Sequence, residues 1–391
     1  MNTGSLPEAG AAVQLFEPLA IRDLRLKNRV VVSAMSMYSS RDGFSDDFHL
    51  VHIGRFALGG AGLVFMEASA VGPEGCITPG CNGLWLDDHA ARLRRITDFL
   101  HRFDCAAGIQ LGHSGAKGSA RRPWHGGTPL NEEDRALRGE QPWPIASASA
   151  VAFDKGWAVP HALGKDDIDR LVEAYRHGAR RARDAGFDVL ELHCAHGYLL
   201  HSFLSPLTNQ RDDEFGGNLE NRMRLPLRIA QVIRAEWPER KPVFVRISSV
   251  DGIDVGWTLD ESVVFARQLA ARGIDAIDCS SGGVILPRDK QLVSRTPGFQ
   301  VPFAERIRRE AGVPTVAVGL ILDASHAEAI LQRGEADLVA LAREILFNPN
   351  WPAQAALSLV GEKGWKFWPD QFRWWLERRA RQIGDKRIRQ N

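Results

Sequence analysis

Three side chains whose types and spacing suit chemistry lie in Glu191-Leu192-His193-Cys194-Ala195-His196-Gly197-Tyr198. His193, His196 and Tyr198 stand at or just beyond the end of an apolar, strand-like run from Phe187 to Leu192. Two imidazoles there could hold one substrate oxygen between them. The Tyr198 phenol, whose ordinary pKa is about 10, could deliver a proton to the neighbouring carbon. The same histidines also suit a metal-assisted hydrolase, with His201 and a carboxylate completing the ligand set. Ligands three apart beyond a strand share no helix face, however, and Tyr198 would then have no task.

Those side chains must be held in place, and the rest of the chain repeats strand and helix in turn. Apolar, β-branched runs at Val30–Ser33, Gly62–Glu67, Cys105–Leu111, Phe187–His193, Val243–Ile247, Ala276–Ser280, Thr315–Val318 and Asp337–Leu341 predict eight strands. Between them, Asp166–Ala185 and Leu259–Ala271 carry apolar residues at helical spacing, with Gly186 and Gly273 as stops. Eight such units predict a closed (β/α)8 (TIM) barrel, an α/β fold, spanning residues 1–391 as one domain. An open doubly wound sheet is the other architecture. It usually carries a glycine-rich turn after its first strand, where this chain has Ala34-Met35-Ser36-Met37-Tyr38. Leu19–Asn28 reads as a hairpin closing the barrel floor. Residues 112–163, rich in Gly, Pro, Trp and charge, read as a lid over the C-terminal face, and 361–391 as a tail.

Composition narrows the partners. The chain of 391 residues is 44% apolar and 25% charged with a formal net charge of +1, which argues against nucleic acid, since phosphate binding needs a clustered basic surface. One basic cluster, Arg378-Arg379-Ala380-Arg381 with Lys386, Arg387 and Arg389, reads as a solvated helix face. No apolar run reaches the roughly 18 residues of a membrane span, and Met1 to Gln14 lacks the charged start and apolar core of a secretion signal. Of the five cysteines, Cys76, Cys81, Cys105, Cys194 and Cys279, the neighbours Cys76 and Cys81 are too few and too far from the others to build a zinc or iron–sulfur cradle. Reduced thiols and a cytoplasmic location follow as expectations.

Polar residues also collect at the C-terminal ends of the expected strands: Gln110 with His113 beyond it, His193, Arg246, Ser280-Ser281-Gly282-Gly283, Val318-Gly319 and Ala342-Arg343. Backbone amides and an arginine beside the seventh and eighth strands match the usual phosphate cradle of barrels. The His-His-Tyr motif runs on through Phe203-Leu204-Ser205-Pro206 to Arg211-Asp212-Asp213-Glu214-Phe215-Gly216-Gly217. With Asn28-Arg29-Val30, Met37-Tyr38-Ser39, Glu67-Ala68-Ser69-Ala70-Val71, Ile109-Gln110-Leu111, Asn218-Leu219-Glu220-Asn221-Arg222, Val318-Gly319-Leu320-Ile321 and Ala340-Leu341-Ala342-Arg343-Glu344, it closely resembles the old yellow enzyme family of FMN-dependent ene-reductases. His-x-x-His resembles the form in its thermophilic-like bacterial branch, a group similar to the xenobiotic reductases. The resemblance extends from Leu15-Phe16-Glu17-Pro18-Leu19 to about Trp351.

The resemblance implies that Ser33, Ala34, Met35, Ser36, Ala68, Gln110, Arg246, Gly283, Gly319, Ala342 and Arg343 hold a non-covalent FMN. Gln110 suits the flavin's pyrimidine edge, and Arg246 places positive charge near N1. Tyr38, His193, His196 and Tyr198 would face the substrate. The implied reaction is a ping-pong cycle in which NADPH or NADH reduces the flavin and an enone, nitro compound or quinone reoxidises it. His193 and His196 would polarise the substrate oxygen, and Tyr198 would protonate the α-carbon. A flavin-binding barrel without catalytic activity is the other reading of the same residues. Two departures stand out: Ser36 replaces the cysteine common in this branch, and the tail around Trp368, Arg373 and Trp374 lacks the family's Tyr-x-Arg-Gly form. The resemblance also implies a homodimer or homotetramer, with the tail reaching a neighbour's site.

Overall fold

In the computed structural model, which describes residues 12–284 and 293–384, eight parallel strands close into a barrel. They are β1 (Val30–Val32), β2 (Leu63–Ala70), β3 (Ala106–Gly112), β4 (Val189–Cys194), β5 (Val243–Ser248), β6 (Ala276–Ser280), β7 (Thr315–Ala317) and β8 (Leu338–Leu341). Strand β8 returns to β1 through Val339↔Val30 and Leu341↔Val32, which rules out the open sheet. All eight strands fall where expected. The one marked difference is β2, which runs past Glu67 to Ala70 because Asn82–Gly83 pairs in parallel beside Ser69 and Ala70.

The strands are buried on both faces, as a parallel sheet between helices requires. Alternate residues divide between two apolar layers. Val31, Phe65, Val189, Phe244, Val316 and Leu338 fill the lumen, and Ile21 and Leu26 join them from a hairpin (Leu19–Ile21 with Leu24–Leu26) that plugs the floor. Gly108 makes room in that lumen, since a Cβ there would sit 2.5 Å from the Phe65 ring. The intervening positions, Val64, Ile109, Leu190 and Ile277 among them, pack against the surrounding helices.

Those helices are α1 (Asp47–Leu58), α2 (Asp87–His101), α3 (Lys165–Asp184), α4 (Leu219–Glu236), α5 (Leu259–Ala270), α6 (Val301–Ala311), α7 (Ala324–Gln332) and α8 (Trp351–Val360). In α3 the buried residues Ile168, Leu171, Val172, Tyr175, Ala179 and Ala182 recur at helical spacing, so one stripe faces the barrel. Gly186 and Gly273 follow α3 and α5 at φ values of 89° and 81°, the left-handed backbone that glycine adopts at least cost. Thr258 caps α5, accepting the Glu261 N–H while the Glu261 carboxylate accepts the Thr258 N–H.

Residues 112–163 carry their own structure, including a short helix (Glu132–Arg138) and a small parallel pair (Ala146–Ser147 with His161–Ala162). Asp134 anchors that helix by accepting from Arg121 Nε at 2.8 and 2.9 Å and by pairing with Arg138. After α8 the chain ends in α9 (Asp370–Ile383). Trp365 and Trp368 are buried against Ala353 and Ala380 within the same chain, while Arg373 pairs with Glu377 at 2.6 Å. Trp374 and Trp375 are 48% and 66% exposed. Of the basic cluster, Arg378, Arg379 and Arg381 are exposed; Lys386, Arg387 and Arg389 lie outside the described residues.

Candidate active site

The period of two that sends Val189 and Phe244 into the lumen also sends Glu191, His193, Arg246 and Ser248 there, further along β4 and β5. Gln110, Asp278 and Ser280 follow by the same rule on β3 and β6. The lumen is therefore apolar at its floor and polar at its C-terminal mouth.

His193 is buried, and the Ala195 N–H donates to its Nδ1 at 3.2 Å. The neutral ring consequently carries its proton on Nε2. His196 sits in a left-handed turn (φ 61°), with its N–H donating to Ser248 Oγ at 2.9 Å. Its Nε2 lies 2.6 Å from Ser280 Oγ, and Gln300 Nε2 donates to that hydroxyl at 3.2 Å. Ser280, itself held by Gln300, thus fixes the His196 ring through Nε2 and leaves Nδ1 without a protein partner among the described residues. His193 and His196 meet edge to face with centroids 5.2 Å apart, and Tyr198 meets His193 in the same way at 5.1 Å. Burial first, then the Arg246 charge, holds both imidazoles well below the usual histidine range, so both are neutral donors.

Tyr198 caps a short helix, Leu199–Leu204, and lines a pocket with Ala68, Cys81, His113 and His193. Tyr38 comes from the loop after β1; burial first, then the Tyr198 phenol, push the Tyr38 phenol up, and the Ser36 hydroxyl acts against that rise. Burial raises Tyr198 as well, which keeps both phenols protonated. Tyr38 is itself left-handed (φ 51°). Left-handed backbone at Tyr38 and His196 costs on the order of 1 kcal/mol each, and residues of the 112–163 excursion hold both. Arg122 Nε donates to the Tyr38 carbonyl at 3.0 Å, and Lys117 Nζ donates to the His196 carbonyl at 2.9 Å and the Gly283 carbonyl at 3.2 Å. Gly283 must be glycine, because a Cβ there would lie 2.5 Å from the His196 backbone.

His201 stands apart from the pair. Gly197 N–H donates to its Nδ1 at 2.8 Å and its Nε2 lies 3.1 Å from Asp251, so it braces the turn and is not placed as a third metal ligand.

The remaining expected positions line the barrel mouth. Ser33 follows β1 with its Oγ buried and unpartnered. Ala34 packs on the lumen cluster, Met35 on the helix-side core. Ala68 marks a register irregularity in β2, where Glu67 turns back to accept the Met37 N–H at 2.9 Å. Gln110 Nε2 donates to Glu191 at 2.7 Å, and Arg246 Nε stands 3.5 Å from Asp278 without a hydrogen bond. Gly319 (φ 121°) lies under Phe299 and Gln300, where a Cβ would come within 3.0 and 2.9 Å of them. Ala342 starts a short helix, Arg343–Phe347, and Arg343 is exposed without an ion pair among the described residues. Unpartnered donors at β1 and β5, an amide at β3 and an open guanidinium at β8 fit a ligand with a polar heterocycle at one end and a phosphate at the other, as FMN has.

Lys117, Gln300, Glu191 and Asp278 were not singled out by sequence reasoning. A lone lysine in a long loop and a glutamine just before a helix carry no local signal. The two carboxylates did carry one, since they share strand parity with His193 and Ser280.

Residues 14–361 match the model of the NADH:flavin oxidoreductase / NADH oxidase family. The chain is 41% identical over 363 residues to an NADPH dehydrogenase of Geobacillus thermodenitrificans, covering 90% of this chain and 99% of that one. An NADPH dehydrogenase of Bacillus subtilis is also 41% identical, over 353 residues covering 90% and 96%. The solved structure of an old yellow enzyme homologue from Zymomonas mobilis has a TM-score of 0.71 and 24% identity over 91% of this chain and 99% of its own. The chain therefore belongs to the NADH:flavin oxidoreductase / NADH oxidase family, as an FMN-dependent oxidoreductase of the old yellow enzyme type that draws electrons from a reduced nicotinamide.

Proposed function

We propose that this protein is an NADPH-dependent ene-reductase that reduces the activated C=C bond of α,β-unsaturated carbonyl or nitro compounds. One observation carries the reading: two neutral imidazoles meet edge to face at the polar mouth of the barrel, and His193, whose ring proton lies on Nε2, stands against Tyr198. When bound, FMN supplies a two-electron carrier that takes hydride from the nicotinamide and gives it to the substrate. Ser33, Gln110 and Arg246 would hold its ring, with Gly283, Gly319, Ala342 and Arg343 around its phosphate. The fixed charge of Arg246 favours an electron-rich ring beside it.

His193 Nε2–H and, with Ser280 donating to its Nε2, His196 Nδ1–H are the donors for one substrate oxygen. Each such preorganised donor is worth about 3 kcal/mol to a developing oxyanion. Neutral donors suit this work because they polarise the oxygen without surrendering a proton. Tyr198, kept protonated by burial, supplies its phenolic proton to the α-carbon. Tyr38, kept protonated by burial, positions the substrate on the other wall. In this reading Ser36 takes over the hydrogen bond that the branch's cysteine would make, without its thiol chemistry.

NADPH over NADH is favoured by the relatives' names. The excursion at 112–163 serves as the lid, since Arg122 and Lys117 grip the two strained turns of the site. A homo-oligomer is favoured by the exposed Trp374 and Trp375. The test is anaerobic: protein reduced by one equivalent of NADPH is mixed with cyclohexenone, a nitroalkene or a quinone. Stoichiometric cyclohexanone is expected; a flavin reoxidised by the quinone but inert to every alkene would refute the ene-reductase assignment.

A further inference from the structure

Beside Gln110 and Arg246 two carboxylates, Glu191 and Asp278, stand in register on the neighbouring strands, with Arg246 as the one cation between them among the described residues. Glu191 on β4 and Asp278 on β6 are 1% and 3% exposed; Arg246 on β5 stands 3.5 Å from Asp278, and its charge also acts on Glu191. Gln110 on β3 binds one Glu191 oxygen, while Glu191 Oε2, Asp278 Oδ1 and Arg246 Nε have no hydrogen-bond partner. Among the described residues Lys117, near the mouth, is spent on the carbonyls of His196 and Gly283, and Arg343 stands exposed at the end of β8. On its own strand Glu191 is flanked by neutral His193 and the buried Cys194 thiol.

We infer that Glu191 and Asp278 form a proton-holding pair, so that above neutral pH each two-electron reduction of the bound flavin draws a second proton into the barrel. The physical reason is charge counting in a dry site. Two buried carboxylates cannot both be offset by one guanidinium, so one keeps its proton until the solution is alkaline. Burial, then the Asp278 charge, pushes Glu191 up to about 8, and burial raises Asp278 also. Negative charge arriving on a flavin beside Arg246 competes for that guanidinium and raises the pair's proton affinity further. The balance is two electrons and one proton to the flavin, plus one proton from solvent to the carboxylate pair. Glu191 acts through Gln110 and Arg246 and is a positioning and tuning residue. The inference rests on FMN lying against those two side chains.

The experiment is the flavin midpoint potential of the loaded protein, by dye equilibration from about pH 6 to about pH 10. A two-electron couple that takes one proton moves by about 30 mV per pH unit, and one that takes two protons moves twice as steeply. The parent should show the single slope below about pH 8 and the doubled slope above it. Glu191→Gln, whose amide can still accept from Gln110, should keep the single slope throughout and bind FMN within a few-fold of the parent. Asp278→Asn should move the onset of doubling to lower pH, because the carboxylate that repels Glu191 is gone. A colourless protein would overturn the flavin reading itself. A yellow parent with one slope across the range, or a Glu191→Gln variant that still doubles, overturns the carboxylate pair alone.

Discussion

Replacing His193 by alanine removes two interactions that can be measured apart. The first is the Nε2–H donor; loss of one preorganised donor to a developing oxyanion slows the assisted step by about 10²–10³-fold, or about 3–4 kcal/mol. The second is the acceptor for the Ala195 N–H at 3.2 Å, whose orphaning in a buried turn costs about 1–3 kcal/mol of stability. The half-reactions separate them. Flavin reduction by NADPH needs no oxygen donor and should change by less than about 10-fold, whereas reoxidation by cyclohexenone should fall by about 100-fold or more. Binding of phenols, which place a phenolate oxygen where the substrate oxygen would sit, should weaken in parallel. His193→Asn offers an amide oxygen to Ala195 N–H and an N–H to the substrate, so it should recover most of the stability and part of the rate. Stopped-flow absorbance under anaerobic conditions reads both half-reactions in one preparation. A flavin-loaded His193→Ala protein that is reoxidised at the parental rate and binds phenols with parental affinity would refute the paired-donor reasoning.

Acid precipitation should release free FMN to the supernatant, because nothing in the site points to covalent attachment; flavin retained by the pellet would contradict this. His113, held by burial at about 4, stays neutral in the fold while it protonates in the unfolded chain. Stability should therefore fall as pH drops from about 6.5, by about 3 kcal/mol at pH 4 from this residue alone; urea melts of His113→Asn, which still offers an acceptor to the Gly115 N–H, should show a shallower acid slope, and an identical slope would disprove the assignment. If α9 joins subunits, replacing Trp374 and Trp375 by serine should lower the mass seen by sedimentation, and an unchanged mass would remove that surface from the interface.

Much of this architecture was legible because a parallel barrel writes each strand as a run of apolar residues bounded by turns. The eight runs needed no long-range knowledge to be found. The end of β2 did: Glu67 looks like a strand terminator, yet it is buried because the Met37 N–H and the His49 ring, 3.2 Å away, both meet its carboxylate. Such partners lie about twenty or thirty residues away and leave no mark on the local pattern. The His193, His196 and Tyr198 constellation was readable from one short segment, since a strand end and the turn after it bring those rings together. Lys117 was not, because its position over the His196 turn depends on how the 112–163 excursion folds back. The tail shows the opposite limit. The resemblance implied a tail around Trp368, Arg373 and Trp374 reaching a neighbour, but Trp365 and Trp368, in the turn before α9, pack inward on Ala353 and Ala380, while Trp374 and Trp375 within α9 face out.

The most direct test of the central claim, that this site protonates a carbon beside a polarised carbonyl, is Tyr198→Phe followed by stopped flow. Protein reduced anaerobically by NADPH is mixed in turn with cyclohexenone and with a quinone, and Tyr38→Phe is run beside it. General-acid assistance is typically worth about 10²–10⁴-fold. Tyr198→Phe should therefore keep its flavin and its rate of reduction, lose at least about 100-fold in reoxidation by cyclohexenone, and reoxidise with the quinone at close to the parental rate, since a quinone needs no proton on carbon. A Tyr198→Phe protein that matches the parent on cyclohexenone while Tyr38→Phe does not would contradict the account and move the proton donor to the opposite wall.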